Sequence, residues 1–184
     1  MKFIHLGDLH IGKSLNQKSL IEVQDDMLEQ VLKVCKDENI KHIIIAGDIY
    51  DKQLPPLEAV NLLNRFLTKA LVTEGLNIYM ISGNHDSLAR INFLSDVVKP
   101  SNLYIGSKPK VKIDKVTINE DGTNFNIYML PYFSPSTYNQ LVDESVKTFQ
   151  EMMDNLMKNN PLNKDEKNIL VTHHFLECFN RFIN

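Results

Sequence analysis

NIYMISGNHD, residues Asn77 to Asp86, runs from an apolar segment directly into Gly83-Asn84-His85-Asp86. Ile78, Tyr79, Met80 and Ile81 suit a buried strand. Asn, His and Asp are poor strand residues, and beside a core they cost free energy unless something satisfies them. Either a turn, or a bound metal or phosphate, accounts for their presence.

Three other segments share this pattern of an apolar run ending in a polar cluster: KFIHL before GDLH, HIIIA before GDIYD, and NILVT before His173-His174. Length and β-branched content favour buried strands. Helical spacing separates the first three. It runs through Leu20, Val23, Met27, Leu28, Val31, Leu32 and Cys35, then through Leu57, Val60, Leu63, Leu67 and Leu71 after Pro55-Pro56. A third helix is expected over Leu88 to Val98, stopped near Pro100. Strand and helix in alternation predict an α/β fold, a parallel sheet with helices over its faces. From Leu103 the texture changes. VKIDKVTI, an Asp-Gly turn and NFNIYML predict a β-hairpin, and Ser136 to Asn159 reads as helical.

The polar clusters thus fall at the C-terminal ends of strands, the edge where open α/β sheets bind ligands. Asp8-Leu9-His10 alone reads as an ordinary turn. Four such clusters in order are hard to explain as turns.

Composition narrows the class. With 184 residues and 43% hydrophobic content, the chain suits one domain with a sizeable core. A net charge of −3 gives no general basic character, so a nucleic-acid function would depend on a local site. Two cysteines, Cys35 and Cys178, make no disulfide framework, and Cys35 falls on an apolar helix face. The N-terminus lacks an h-region and no apolar run is long enough to span a bilayer, so the expected location is cytoplasmic.

Carboxylates, an amide and imidazoles without thiolates at the rim suit borderline divalent metals such as Mn²⁺, Fe²⁺ or Zn²⁺. Two such ions ~3.5–4 Å apart activate a water and clamp the oxygens of a phosphoryl displacement. Asp8-x-His10, Gly47-Asp48-x-x-Asp51, Gly83-Asn84-His85-Asp86 and His173 after a strand resemble the calcineurin-like metallophosphoesterase superfamily. HLGDLHIG, AGDIYDKQLPP and SGNHDSLARINFL resemble, within it, the SbcD-type nuclease subunits, bacterial relatives of the Mre-type repair nucleases.

The resemblance implies a metallophosphoesterase fold and two metal ions, Mn²⁺ foremost. Asp8 and His10 would bind one ion, Asp48 would bridge, and Asn84 and His173 would bind the second. His85 would face the scissile phosphate, and Asp51 would orient its imidazole. His174 competes with His173, which the family pattern favours as the first residue after the strand. His5 and His42 read as structural, Asp86 as a cap or supporting acceptor, and Arg90 as a solvated helix residue.

The implied function is a metal-dependent DNA nuclease subunit working with an SbcC-type ATPase. A general phosphoesterase on small substrates and a low-activity dimerisation scaffold are the alternatives. Relatives pair through helices matching 57–71 and 88–98, which implies a homodimer; Leu62, Phe66 and Ala70 hint at a second covered face on the first of these. The family's later Gly-His-x-His segment and capping domain are not found in residues 1–184, so a C-terminally truncated nuclease domain with weakened metal binding is expected.

Overall fold

The computed structural model describes residues 1–91, 102–143 and 145–175. In chain order the first elements are β1 (Phe3–Leu6), β2 (Ser14–Leu15), β3 (Lys18–Ser19), α1 (Ile21–Asp37), β4 (His42–Ala46) and α2 (Leu57–Thr68). A π-helical turn (Lys69–Thr73) precedes β5 (Asn77–Ile81), α3 (Leu88–Ile91) and β6 (Leu103–Gly106). Then come β7 (Asp114–Glu120), β8 (Thr123–Leu130), α4 (Pro135–Tyr138), α5 (Phe149–Asn159) and β9 (Lys167–Thr172).

Alternation along β4 sets the layers. Successive side chains leave a strand on opposite faces. Ile43 and Ile45, with Ile78 and Met80 of β5, form a core with Leu28, Leu32 and Cys35 of α1 and Leu62, Leu63 and Phe66 of α2. Ile44, Ala46, Tyr79 and Ile81 face the other way and meet Ile127, Met129 and Val171 of a second sheet. The far side of that sheet buries Tyr128 and Leu130 against Met152, Met153 and Leu156 of α5. Each fully buried aliphatic side chain contributes roughly 1.5–3 kcal/mol.

The first sheet runs β1-β4-β5-β6, all parallel, and the second β7-β8-β9. The parallel sheet and the hairpin match the sequence reading. Asp121 and Gly122 both have positive φ (50° and 76°), the conformation of a two-residue hairpin turn between Glu120 and Thr123. Among the described residues, however, helices cover one face of the parallel sheet and the second sheet covers the other. NILVT does not extend the first sheet: β9 lies parallel to β8 in the second. Leu103–Gly106 adds a strand that its short pattern did not announce. At Gly106 a Cβ would approach Met129 Cβ to 2.7 Å, so the two sheets close tightly where a side chain is missing.

Ser136–Asn159 is not one helix. The side chain of Asn139 accepts from Val146 N (2.8 Å) and donates to Val146 O (2.9 Å), closing a loop after Tyr138. Thr148 and Glu151 then form a capping box that starts a new helix. Of the expected Leu88–Val98 helix, Leu88–Ile91 is helical and residues 92–98 lie outside the described residues. Leu62, Phe66 and Ala70 are core residues; exposed apolar side chains on and around this helix include Leu54, Leu57, Val60 and, in the π-helical turn, Val72.

At the end of the sandwich away from the polar clusters, His42 Nδ1 lies 3.2 Å from the Tyr79 hydroxyl and Nε2 3.1 Å from Glu120 Oε1. This structural network joins β4 and β5 to the β7–β8 hairpin. Burial lowers the His42 pKa, although Glu120 opposes the shift. Bonding to the Met1 amino group, assisted by His42, lowers that of Glu120. A depressed histidine pKa favours the neutral ring in the fold, so its stabilisation is complete above its ordinary value of 6.5 and is lost as pH falls below it. The depressed Glu120 pKa acts in the same direction below 4.5. Thermal stability should therefore fall on acidification below pH 6.5. His42→Gln should lose about 1–3 kcal/mol at neutral pH and flatten the pH 7 to 5 limb. Parallel melting curves for the two proteins across that range would exclude His42 as the group responsible.

Candidate metal centre

β1, β4 and β5 are parallel and all end at one rim, and β9 of the second sheet delivers His173 to the same place. Asp8, His10 and Asp48 have positive φ (53°, 43° and 47°), as has Gly47 (87°). The left-handed region costs a non-glycine residue roughly 1 kcal/mol or more, though Asp and His tolerate it better than β-branched residues. Backbone bonds fix these bends: Asp8 N to Gly47 O (3.3 Å), His10 N to Asp48 O (2.9 Å) and Ile11 N to Ile49 O (2.9 Å).

Asp48 is the centre. Its side chain is 4% exposed, and its Oδ2 faces three imidazole nitrogens: His173 Nε2 at 3.4 Å, His10 Nε2 at 3.6 Å and His85 Nε2 at 4.0 Å. Its Oδ1 accepts from His85 N at 2.9 Å. Asp8 Oδ1 lies 3.8 Å from His10 Nε2, with the Asp8 side chain largely exposed. Two overlapping donor groups result, Asp8–Asp48–His173 and His10–Asp48–His85, each with atoms within 4.8 Å of one another. Asp48 is common to both. Asn84 sits on the exposed side of the same turn as His85.

Side-chain partners sort the histidines. His173 Nδ1 lies 2.7 Å from Ala46 O, so it carries the proton and leaves Nε2 with a free lone pair toward Asp48. His174 has both ring nitrogens engaged, Nδ1 with Thr172 Oγ1 (2.8 Å) and Nε2 with Phe133 O (3.1 Å). Burial lowers its pKa, and both of its ring nitrogens are taken up within the protein. His85 Nδ1 is 3.2 Å from Asp51 O. It is thus the main-chain carbonyl of Asp51 that holds this ring, while the Asp51 carboxylate stands 3.5 Å from His10 Nδ1.

The arrangement fits divalent ions. Bonds of about 2.0–2.2 Å to nitrogen and oxygen place neighbouring donors of one ion roughly 3–3.5 Å apart. The closest Asp48–imidazole separations approach that range and are too long for good hydrogen bonds. His10 turns Nε2 toward Asp8 and Asp48, while its Nδ1, buried without a hydrogen-bond partner, lies on the Asp51 side of the ring.

Two residues support these loops. Asp86, 5% exposed, accepts three backbone N–H groups: Ile49 (3.1 Å), Tyr50 (3.0 Å) and Gly83 (2.9 Å). It ties the Asp48 loop to the Asn84 turn. Gln24 of α1, also buried, accepts from Gly12 N (3.0 Å) and donates to Leu9 O (3.0 Å) and His10 O (2.8 Å). Sequence reasoning missed Gln24. The visible signal was a polar residue on the apolar face that carries Leu28 and Leu32.

A family model for calcineurin-like phosphoesterases matches residues 1–182. The chain belongs to this family. It is also 32% identical over 180 residues to the D subunit of nuclease SbcCD from Staphylococcus epidermidis, covering 96% of this chain and 47% of the relative. The same protein of Staphylococcus saprophyticus is 31% identical over 179 residues, covering 94% of this chain and 46% of the relative. The chain therefore spans about half the length of the curated relatives it matches. Among the described residues no helix is long and apolar enough to cross a membrane.

Removing Asp86 strands three buried amide donors. Asp86→Ala should cost about 3 kcal/mol or more, and Gln24→Leu about 1–3 kcal/mol, read by urea unfolding. Both should weaken divalent-metal binding in calorimetry. Wild-type stability and affinity in either variant would mean that its hydrogen bonds do not hold the loops.

Proposed function

We propose that this chain carries the metal site of a DNA nuclease subunit, a phosphodiesterase that uses two divalent ions, most readily Mn²⁺. The observation that carries the reading is Asp48, a buried carboxylate shared by two donor groups. Following the family resemblance, Asp8, His10 and Asp48 are assigned to one ion, and Asp48, Asn84 and His173 to the other; the donor groups gathered at the rim share Asp48 but pair Asp8 with His173 and His10 with His85. When bound, the ions supply Lewis acidity and an activated water.

The side chains divide the remaining work. His173, anchored through Nδ1 to Ala46 O, presents Nε2. His85, 47% exposed at its side chain, is the group left to meet the phosphate. With Nδ1–H donated to Asp51 O, its Nε2 in the charged form holds the proton required by the leaving oxygen. DNA is the favoured substrate because both relatives are named as components of a nuclease. The compound name SbcCD also supports an SbcC-type ATPase partner. We assign homodimerisation to the α2 side, where Leu54, Leu57 and Val60 are exposed.

Mn²⁺-dependent turnover should favour DNA and a bis-aryl phosphodiester over an aryl phosphomonoester. The reverse order would replace the nuclease by a phosphomonoesterase. His85→Asn should lower kcat about 10²–10⁴-fold while calorimetry still shows both ions; loss of an ion would make His85 a ligand. Light scattering at micromolar concentration should give a dimer mass, and Leu57→Glu should shift it to monomer. A monomeric wild-type chain would remove the dimer.

A further inference from the structure

Beside the metal centre is an aromatic step that the proposed chemistry does not use. β8 ends at Leu130, and Tyr132, two residues on, donates its backbone N–H to Ser82 O at the end of β5 (2.9 Å). That bond holds Tyr132 on the rim. Its ring centroid lies 6.5 Å from that of His173, the two planes at 82°. One side of the ring stacks on His174 at 5.1 Å, and His174 is itself fixed by two hydrogen bonds. Phe149, the first residue of α5, stands 6.1 Å from Tyr132 and 5.7 Å from His174 and is 41% exposed. Two residues beyond His173, Phe175 is 90% exposed. The ordinary destination of a phenylalanine is the core. Here Tyr132 is half-buried against a hydrogen-bonded imidazole, Phe149 and Phe175 are exposed, and the neighbour is a candidate metal ligand.

We propose that Tyr132 and Phe149 form a stacking platform for an unpaired nucleobase next to the phosphate held at the metal centre. This rests on the nuclease reading above. Aromatic rings take bases of any sequence, because every base has a π-face, and stacking accounts for much of the affinity of single-stranded nucleic acid sites. A base inside a duplex is already stacked on both sides and presents no face. The occupant is therefore a single-stranded or frayed end. The chain's net charge of −3 is consistent with a site that grips through rings rather than through general basic attraction.

The test is titration of the protein with a single-stranded oligonucleotide carrying 2-aminopurine at its end, beside the same strand with an abasic end. Wild-type protein should quench the 2-aminopurine and bind the abasic strand about tenfold more weakly. Tyr132→Ala should lose the quench and bind the base-bearing strand about tenfold more weakly, with no further loss on the abasic strand. Tyr132→Phe should behave as wild type, and Phe149→Ala should fall between. Equal wild-type affinity for the two strands would overturn the platform. A Tyr132→Ala loss of equal size on both strands would also overturn it, since that reports a disturbed fold. If Tyr132→Phe lost as much as the alanine variant, the hydroxyl and not the ring would be the contact, and stacking would be wrong. Hydrolysis of a bis-aryl phosphodiester without any binding of DNA would remove the nuclease reading together with the platform. DNA binding that ignores the base would remove the platform alone.

Discussion

Three backbone amides converging on one buried carboxylate hold this site together. Asp86 takes the N–H groups of Ile49, Tyr50 and Gly83, and so binds the loop after β4 to the turn after β5. Hydrogen bonds to a charged acceptor are about twice as strong as neutral ones, and in a buried setting the unmade bond is the larger cost. The closeness they enforce leaves no room for a side chain at Gly83, where a Cβ would stand 2.2 Å from Asp48 Oδ1 and 2.3 Å from Asp48 N. Neither atom can move without disturbing the carboxylate that the two candidate donor groups share. His85 N donating to Asp48 Oδ1 completes the contact from the other side.

The strained residues become intelligible on that basis. Asp8, His10 and Asp48 each occupy the left-handed region, and each is a donor. A strand that continued extended would carry these side chains past the rim. Bending the chain at the donor itself turns the side chain inward over the strand end. The strain persists because the loops are over-determined: Gln24 bonds to three backbone groups of the first loop, and Asp86 to two of the second. Strain concentrated at candidate ligands and offset by supporting bonds is what a preorganised site requires.

The parallel sheet was legible because KFIHL, HIIIA and NIYMIS are short apolar runs separated by helical spacing. The side chains that gather at the rim were legible as a group because each run stops at a polar cluster. What the pattern could not reveal was the partner of each strand. NILVT has the same apolar texture as HIIIA in the sequence, yet β9 is a partly exposed strand with Leu170 exposed and Val171 buried, so texture alone could not choose its sheet. Leu103–Gly106 is short and ends in a glycine whose meaning lies in Met129 across the sandwich. The Asn139–Val146 loop was hidden because Asn139 competes with the helix through side-chain bonds to the backbone, which periodicity does not register. Gln24 bonds to Gly12 across 12 positions and Asp86 to Ile49 across 37, beyond any local motif. His173 and His174 are indistinguishable as letters. Their hydrogen bonds separate them: His174 has none to spare, and His173 keeps one nitrogen free.

The site therefore depends on how the two sheets meet. The first sheet positions Asp8, His10, Asp48, Asn84 and His85, whereas His173 comes from the second. Its only hydrogen bond to the first sheet in the described residues is the one from Nδ1 to Ala46 O, the carbonyl that ends β4. A Cβ on Gly47 would lie 2.7 Å from His173 Cγ, so the imidazole rests on the backbone of the residue before Asp48. Metal–ligand bonds tolerate only about 0.2 Å of error. A shift of one sheet against the other by that amount would carry His173 Nε2 away from Asp48 while leaving the remaining donors in place. The buried contacts of Ile44, Ala46 and Ile81 with Ile127, Met129 and Val171 are thus part of the machinery of the centre. Core packing between the sheets sets the distance from Asp48 Oδ2 to His173 Nε2, and with it how closely the candidate donors of the two sheets approach one another.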